Sequence, residues 1–446
     1  MQEREEQTRT VSEAFARLIA RLRDMHPSDI AEELEDLELP KIRKVLRKFS
    51  DEQVAEILTE LPPEIQTALL ENMRLDRVSE IISEMYSDDA ADALGNVSPE
   101  RLQEIMDKLS DEDVVEISDL LEYPEDTAGG IMRKEVNSVL TTMTLGEARE
   151  SVRKDEDHDQ DSAIYIYVVD ENQRLQGVLR LRDLLFRDLR LKVSDVMISE
   201  VRSVSVYADQ EEIANIFQKY NYLALPVVDD FNKLIGLVTS DDVIDVIQEE
   251  ATEDMQRMVG LSGEEMVTTP WVRSVKNRLP WLLINLGTAF LAAWVVSMFE
   301  DTLVKYAMLA AFLPIIGGMG GNAGAQTLTI VVRSLALGEI QENEWRRVLS
   351  KELLVGLVGG LAIGVAVGLI SWLWRGDWII GLVVCLAMLL NMIAAASAGV
   401  LVPIGLRTVK VDPALASSIM VTTVTDVVGF LIFLSLATLA LNFIAL

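Results

Sequence analysis

The sequence predicts a multidomain protein: an all-α N-terminal superhelix, an α/β module made of two repeats, and an all-α membrane domain of five helices. Three observations support this fold class. Charge differs sharply between the two parts of the chain, five long apolar segments lie towards the C-terminal end, and two kinds of internal repeat precede them. We expect these parts at residues 1–128, 129–254 and 271–446, with a connecting helix at 243–270.

Charge separates a soluble part from a membrane part. The chain has 71 acidic and 40 basic residues, of which residues 271–446 contain 9 and 11. Residues 1–270 therefore hold 62 and 29, a net charge of −33. Such a surface repels nucleic acid and attracts cations, although solubility alone also explains acidity. We expect no nucleic-acid partner, and the single cysteine, Cys385, excludes a disulfide framework.

The N-terminal part contains short amphipathic segments that recur along the chain. Several begin after a serine or at a proline, at Ser50, Pro63, Pro99 and Ser110. Serine before a helix and proline in its first turn are common start signals. Repeated helices with one apolar face predict a superhelix.

The pattern then changes to strands and helices, and it occurs twice, at about 129–192 and 193–254. The first copy has strands at 161–169 and 175–179, and a helix from Leu181. The second copy repeats this order with strands at 224–228 and 234–238 and a helix from Ser240. Each copy follows a predicted helix, so the pair forms a tandem α/β module.

Five apolar segments are long enough to cross a bilayer, which takes about 20 residues. Basic residues concentrate in the loops on one side, which places the N-terminal part in the cytoplasm and the C-terminus outside. We expect a multi-pass protein of the cell inner membrane, in contact with lipid. The predicted spans are residues 279–299, 306–332, 353–374, 378–406 and 413–443.

A glycine stripe in the third span predicts close helix packing. Glycines spaced four residues apart share one helix face and let another backbone approach. We interpret the stripe as packing and not as chemistry. Its members are Gly356, Gly360, Gly364 and Gly368.

Asp426 is the only acid within the five predicted spans. A carboxylate at the centre of a membrane helix costs about 2.5–3.5 kcal/mol on insertion scales, so it requires a partner, water or an ion. Ser418 lies two turns and Thr422 one turn before it, on the same face. A structural alternative is a buried aspartate held by hydroxyl groups; we favour an ion pathway.

The second span contains a glycine-rich segment from Pro314 to Gln326 that includes Gly318 and Asn322. Glycines allow a closely packed or unwound backbone, and the amides add oxygen ligands. These are hard ligands, and neither histidine of the chain, His26 or His158, lies in a span. Mg²⁺ prefers oxygen ligands and keeps several waters, so few carboxylates suffice. A two-fold homodimer would pair the two Asp426 side chains.

The chain resembles the MgtE family of Mg²⁺ channels in its order of parts and in two motifs, Pro314…Gly-Gly-Asn322 and Thr422-Thr-Val-Thr-Asp426. The resemblance implies a homodimer that imports Mg²⁺ through a pore between subunits, lined by Asp426, Thr422, Asn322 and Gly318. It also implies that cytosolic Mg²⁺ bridges acids of the soluble domains and closes the pore. The matching sensor positions are Asp88, Asp92, Asp209, Glu211, Asp242, Asp245, Glu250 and Glu253.

The tandem repeats resemble a pair of CBS domains, which often bind adenosine nucleotides. Thr239 and Asp242 match the Gly–apolar–x–Thr/Ser–x–x–Asp signature, whereas the first copy has Arg180 in place of the hydroxyl residue. The resemblance implies that ATP is a ligand of this module. The residues that match its binding positions are Tyr165, Arg182, Asp183 and Tyr222.

Other functions are less consistent with the sequence. A secondary transporter coupled to Na⁺ or H⁺ is the main alternative, and single-channel current would distinguish it from a channel. An intramembrane metalloprotease needs a His-Glu-x-x-His motif, which the chain lacks. A nucleotide sensor without transport would leave Asp426 unexplained. We therefore expect a transport protein and not an enzyme.

Overall fold

The computed structural model describes residues 15–154, 165–263, 265–267, 269–340, 344–415 and 418–444. The chain forms two compact units, Met1–Ile247 and Gln248–Leu446. The predicted first strand begins at residue 161, and its residues before 165 lie outside the described part, as does residue 158.

The N-terminal part of the first unit is a succession of short helices, as predicted. Ser50 forms a capping box with Gln53, and the Ser110 side chain accepts from the Asp113 N–H. Residues 15–22 are also helical. The other helices are Pro27–Glu35, Leu39–Leu46, Asp51–Thr59, Pro63–Asn72, Leu75–Ser83, Ser87–Gly95, Pro99–Met106 and Asp111–Leu120.

These helices stack so that each packs against the next but one along the chain. Their apolar faces meet in one buried core, to which Leu34, Leu58 and Ile81 contribute. The same core continues into the second α/β repeat through Phe217 and Val238. The superhelix and the second repeat therefore share buried apolar surface, which stabilises their association.

The two α/β repeats have the same topology. In the first, β1 (Ser138–Leu140) runs parallel to β2 (Tyr165–Val169), which pairs antiparallel with β3 (Leu175–Arg180). In the second, β4 (Val204–Ser205), β5 (Ala224–Val228) and β6 (Leu234–Thr239) repeat this arrangement. The helices of the module are Leu145–Lys154, Leu181–Phe186, Val193–Val196 and Gln210–Tyr220.

The hairpins of both repeats close with the same turn. The carboxylate of Asp170 accepts the N–H groups of Asn172 and Arg174, and Asp229 does the same in the second copy. Gln173 and Asn232 both have a φ of 62°. The tandem pair predicted from the sequence is thus confirmed in its local geometry. The connecting helix, which follows β6, spans Ser240–Met258 in the structure.

Among the residues that the structure describes, the second unit contains five helices long and apolar enough to cross a membrane. They are Trp271–Ser297, Ala307–Ala336, Trp345–Trp374, Trp378–Thr408 and Ser418–Leu441, here the first to fifth spans. The second begins as a 3-10 helix, Ala307–Phe312, and continues as the α-helix Leu313–Ala336 through its glycine-rich segment. The glycines therefore serve packing and not unwinding. A short helix, Glu300–Lys305, and a 3-10 turn, Pro413–Leu415, occupy loops.

The glycine stripe of the third span packs against the fourth span, as predicted. A Cβ at Gly364 would lie 2.7 Å from the Cys385 carbonyl, and one at Gly368 would lie 2.7 Å from the Gly381 carbonyl. A Cβ at Gly356 would lie 2.9 Å from the Met392 carbonyl, and one at Gly360 would lie 3.0 Å from Met392 Cβ. The stripe brings the two backbones together over several turns.

Candidate ion pathway and acidic sensor

Asp426 lies in the middle of the fifth span, facing the glycines of the second span. A Cβ at Gly317 would lie 2.6 Å from Asp426 Oδ1, so a larger residue there would displace the carboxylate. The Asp426 carboxylate is half-buried and, among the described residues, has no hydrogen-bond or ion-pair partner. An acid held in this way in an apolar unit retains free oxygen atoms for a cation.

Thr422 lies one turn before Asp426 and also faces the second span. A Cβ at Gly321 would lie 3.0 Å from Thr422 Cγ2. The Thr422 hydroxyl donates to the Ser418 carbonyl, at 2.8 Å. Because donation uses only the proton, the oxygen lone pairs remain free to accept or to coordinate.

Gly318 and Asn322 lie on the second span beside Gly317 and Gly321, on a face that is exposed in the single chain. Nothing lies within 4 Å of a Cβ added at Gly318. Asn322 and Gln326, one turn apart, are exposed as well. The structure thus brings Asp426 and Thr422 to Gly317 and Gly321, and leaves the two amides on an open face.

A residue that the sequence analysis missed, Asn391 of the fourth span, lies beside this pair of helices. It is fully buried, and its Nδ2 donates to the Ile316 carbonyl at 2.9 Å. Its Oδ1 has no hydrogen-bond partner among the described residues. A Cβ at Gly320 would collide with this amide, and one at Gly429 would lie 2.8 Å from Oδ1. Asn391 therefore fills the space between the second and fifth spans.

The prediction that Asp426 is the only acid within the spans is wrong. The third span begins at Trp345 and not at residue 353. Its first two turns carry charged residues, so the apolar pattern in the sequence starts later than the helix. These turns include Glu352, which is buried. Its carboxylate pairs with Lys351 at 2.8 Å and accepts from the Thr327 hydroxyl at 3.1 Å. Glu352 thus has partners, in contrast to Asp426.

The end of the connecting helix is attached to the loop that precedes the fifth span. The Arg257 guanidinium pairs with Asp412 at 2.5 Å and with Glu253 one turn back on its own helix. Asp412 also accepts from the Ala414 N–H at 2.8 Å. Burial, with the Asp412 carboxylate nearby, raises the pKa of Asp254 to about 6. The sequence analysis missed this contact, which joins residues 155 positions apart.

In the first unit, the predicted sensor acids Asp88 and Asp242 meet at an arginine, Arg133. Arg133 Nε lies 3.4 Å from Asp88 Oδ2, and Nη2 lies 3.7 Å from Asp242 Oδ2. Asp88 comes from the helix Ser87–Gly95 and Asp242 from the first turn of the connecting helix. The Thr239 hydroxyl donates to Asp242 as well. The two acids are therefore already bridged by a cation of this chain.

Burial controls the titration of these acids. It raises the pKa of Asp88 well above its usual value, and Arg133 opposes this effect. Burial and the Asp242 carboxylate raise the pKa of Asp89 to about 6. The pKa of Asp242 is raised by burial too, against Arg133 and Thr239. Charged carboxylates are costly here unless a cation stays close.

The other predicted sensor acids lie apart from Arg133. Asp92 is exposed one turn after Asp88. Asp209 caps the helix Gln210–Tyr220 by accepting from the Glu211 N–H, at 2.8 Å. Partial burial and the Glu60 carboxylate raise the pKa of Asp245.

Glu250 and Glu253 belong to the second unit, where partial burial raises the pKa of Glu253 although Arg257 pairs with it. Among the described residues, no three His, Cys, Asp or Glu side chains are grouped so that they would hold a metal ion.

The predicted nucleotide residues lie in both repeats. Asp183 is buried and pairs with Arg180 at 3.1 Å and with Arg187 at 3.4 Å. Arg180 thus holds Asp183 as Thr239 holds Asp242 in the second copy. Arg182 is exposed, Tyr165 opens β2, and Tyr222 stacks on Tyr220 with ring centroids 5.6 Å apart.

Comparison with known proteins identifies each part of the chain. The model of the MgtE intracellular N domain matches residues 25–126, and the CBS domain model matches 128–190 and 193–249. A third model, of the MgtE divalent cation transporter domain, matches residues 313–436.

Similar proteins carry the same combination. The magnesium transporter MgtE of Thermus thermophilus is 38% identical over 334 residues, which cover 73% of each chain. Its namesake in Bacillus subtilis is 34% identical over 319 residues, 72% of this chain and 70% of that one. A crystal structure of the cytosolic domain of the Mg²⁺ channel MgtE in complex with ATP superposes with a TM-score of 0.51 at 37% identity. The superposition covers 54% of this chain and 98% of the crystallised chain.

Proposed function

The chain belongs to the MgtE family of divalent cation transporters, and from this premise we propose that it imports Mg²⁺ across the cell inner membrane. The observation that carries the proposal is Asp426, an unpaired and half-buried acid in a membrane helix. Its oxygens suit Mg²⁺, because this ion prefers carboxylates and retained waters. The Thr422 oxygen and the open backbone around Gly318 extend the same polar face.

The pathway is proposed to lie between two copies of the chain. Asn322 and Gln326 present amides on the exposed face of an apolar span, where contact with lipid is unfavourable. A partner subunit or a water-filled path would satisfy them. In a two-fold homodimer both copies would contribute Asp426, Thr422, Asn322 and Gly318. The C-terminus lies outside the cell in this arrangement, as the loop charges favour.

Cytosolic Mg²⁺ is proposed to close the pathway by binding acids of the soluble part. Clustered carboxylates repel, and a divalent ion that joins them selects the compact state. We assign this role to the six predicted sensor acids that lie apart from Arg133: Asp92, Asp209, Glu211, Asp245, Glu250 and Glu253. Asp88 and Asp242 differ, because Arg133 lies between them.

Substitution of Asp426 tests the transport function. Asp426→Ala should abolish Mg²⁺ uptake into liposomes, because it removes the only unpaired carboxylate of the spans among the described residues. Asp426→Asn keeps the size, loses the charge and should transport at an intermediate rate at best. Uptake by Asp426→Ala at the wild-type rate would contradict the assignment. Uptake that requires a Na⁺ or H⁺ gradient would indicate coupled transport instead.

ATP is proposed to bind the CBS pair. The similarity to a cytosolic domain crystallised with ATP supports this proposal. Tyr165 and Tyr222 offer aromatic surface, and Arg182 offers an exposed charge. Calorimetry on the full chain should show binding that Tyr165→Ala weakens, with Tyr207→Ala, which alters another exposed tyrosine, as the control. No heat at high ATP concentration would exclude the site and leave the transport proposal intact.

A further inference from the structure

The Arg133 side chain is buried where the N-terminal superhelix packs on the second CBS repeat, within one compact unit. Its backbone N–H donates to the Leu237 carbonyl at 2.9 Å, and its carbonyl accepts from the Leu237 N–H at 3.0 Å. Its side chain is 6% exposed, and the guanidinium carbon lies 4.3 Å from the centre of the Tyr86 ring. The backbone is therefore held by β6 while the guanidinium lies against the superhelix.

Carboxylates from two domains surround this guanidinium. Asp88 of the superhelix lies 3.4 Å from Nε. On the other side, Asp242 and Asp241 lie 3.7 and 3.8 Å from Nη2, and the Thr239 hydroxyl lies 3.4 Å from the same atom. Asp241 is three-quarters exposed, so water screens its charge. The buried contact is thus a bridge from Asp88 through Arg133 to Asp242.

A divalent ion does not fit between Asp88 and Asp242 in this arrangement. Mg²⁺ would need their oxygens at about 2.0–2.1 Å, in the space that the guanidinium fills. Arginine stays protonated at every physiological pH, so it cannot give up its charge to admit a second cation. The Asp89 N–H and the Thr239 hydroxyl already donate to the same two carboxylates.

We propose that Arg133 is a tethered cation that docks the superhelix on the CBS pair without Mg²⁺. The proposal deepens the proposed function, on which it rests: it removes Asp88 and Asp242 from the ion sensor and assigns the Mg²⁺ dependence to other acids. Lys134 repeats the arrangement one residue later, since its ammonium pairs with Asp119 of the helix Asp111–Leu120. Two consecutive cations thus hold two helices of the superhelix.

A distance measurement across the junction tests this proposal. Spin labels at Gln103→Cys on the superhelix and Asp230→Cys on the second repeat, both exposed sites, report docking in the full-length protein with Cys385→Ala as background. The distance distribution is recorded in EDTA, in MgCl₂ and in NaCl of equal ionic strength. The matched variants are Arg133→Gln, which removes the buried charge, and Arg74→Gln, which removes an exposed one.

The wild type should show one narrow distance in EDTA that Mg²⁺ leaves unchanged. Arg133→Gln should lose this narrow population in EDTA and regain it with Mg²⁺ but not with Na⁺, because the freed carboxylates then need an ion. Arg133→Lys should keep it in EDTA, and Arg74→Gln should behave as wild type. A wild type that undocks in EDTA, or an Arg133→Gln variant that stays docked there, would overturn the proposal.

The wild-type comparison decides the question even if Arg133→Gln does not fold. Mg²⁺ uptake by the same preparations separates this proposal from the proposed function. Absence of uptake with a narrow distance in EDTA would reject transport and retain the role of Arg133. Uptake that cytosolic Mg²⁺ inhibits, together with a junction that opens in EDTA, would retain the transport proposal and reject the role of Arg133.

Discussion

At Asn391, a buried amide oxygen without a partner among the described residues lies next to the proposed pathway. An unsatisfied buried acceptor costs roughly 1–3 kcal/mol, and leucine, which has the same number of side-chain heavy atoms and the same branching, removes that cost. The Nδ2 group, however, holds the Ile316 carbonyl, and the following residue, Gly317, faces Asp426. The residue therefore positions the second span against Asp426 at a cost in stability.

We expect Asn391→Leu to unfold at the same temperature as wild type, or higher, while Mg²⁺ uptake per folded protein falls about tenfold, or roughly 1.4 kcal/mol. Thermal unfolding and uptake in liposomes measure the two effects. Met388→Leu, one turn away and equally buried, is the matched control and should transport normally. If Asn391→Leu transports like wild type, the amide serves packing only.

At the scale of elements, the ion pair between Arg257 and Asp412 links the connecting helix to the start of the fifth span. Asp412 also caps the turn Pro413–Leu415, and Asp426 lies three to four turns further along. We expect this salt bridge to couple the connecting helix to the fifth span. Residues that share such a contact couple by about 0.5–3 kcal/mol.

Arg257→Ala and Asp412→Ala should each raise the cytosolic Mg²⁺ concentration that half-closes the pathway, and the double variant should shift it no further. Patch-clamp current against cytosolic Mg²⁺ measures this double-mutant cycle. Lys410→Ala, which removes a charge from the same loop, should leave the midpoint unchanged. Additive shifts in the double variant would show that the two side chains act independently.

At the scale of the whole molecule, residues 1–270 carry a net charge of −33 beside an apolar domain that is nearly neutral. Simple screening acts through ionic strength and treats Mg²⁺ and Na⁺ salts alike once that is matched. Binding to carboxylates discriminates between the ions. Cytosolic Mg²⁺ should therefore close the pathway at ionic strengths where Na⁺ does not.

Replacing Asp209, Glu211, Asp245, Glu250 and Glu253 together with alanine should remove this closure by Mg²⁺, as current recordings would show. Replacing Asp88 and Asp242 should act differently, because it leaves Arg133 buried without its acids and weakens docking. Normal closure in this quintuple variant would show that the sensor lies elsewhere. The acidity of residues 1–270 would then be explained by solubility.

The sequence by itself determined the architecture, because helix starts, strand alternation and apolar length are local signals. Ser50 and Ser110 cap helices where their spacing predicted, and the glycine stripe of the third span packs as expected. The isolated acid in the fifth span could also be found locally, since any charge in an apolar segment is conspicuous.

Tertiary structure alone decided which charges are already paired. Arg133 meets Asp88 across 45 positions, and Asn391 meets Ile316 across 75, so no spacing rule in the chain identifies either contact. The sequence signals for these contacts were only two adjacent basic residues, Arg133 and Lys134, after the superhelix, and one amide residue, Asn391, in an apolar span. Whether an acid binds an ion or an arginine depends on which side chain the fold brings within about 4 Å of it, because attraction between charges weakens with distance and with exposure to water.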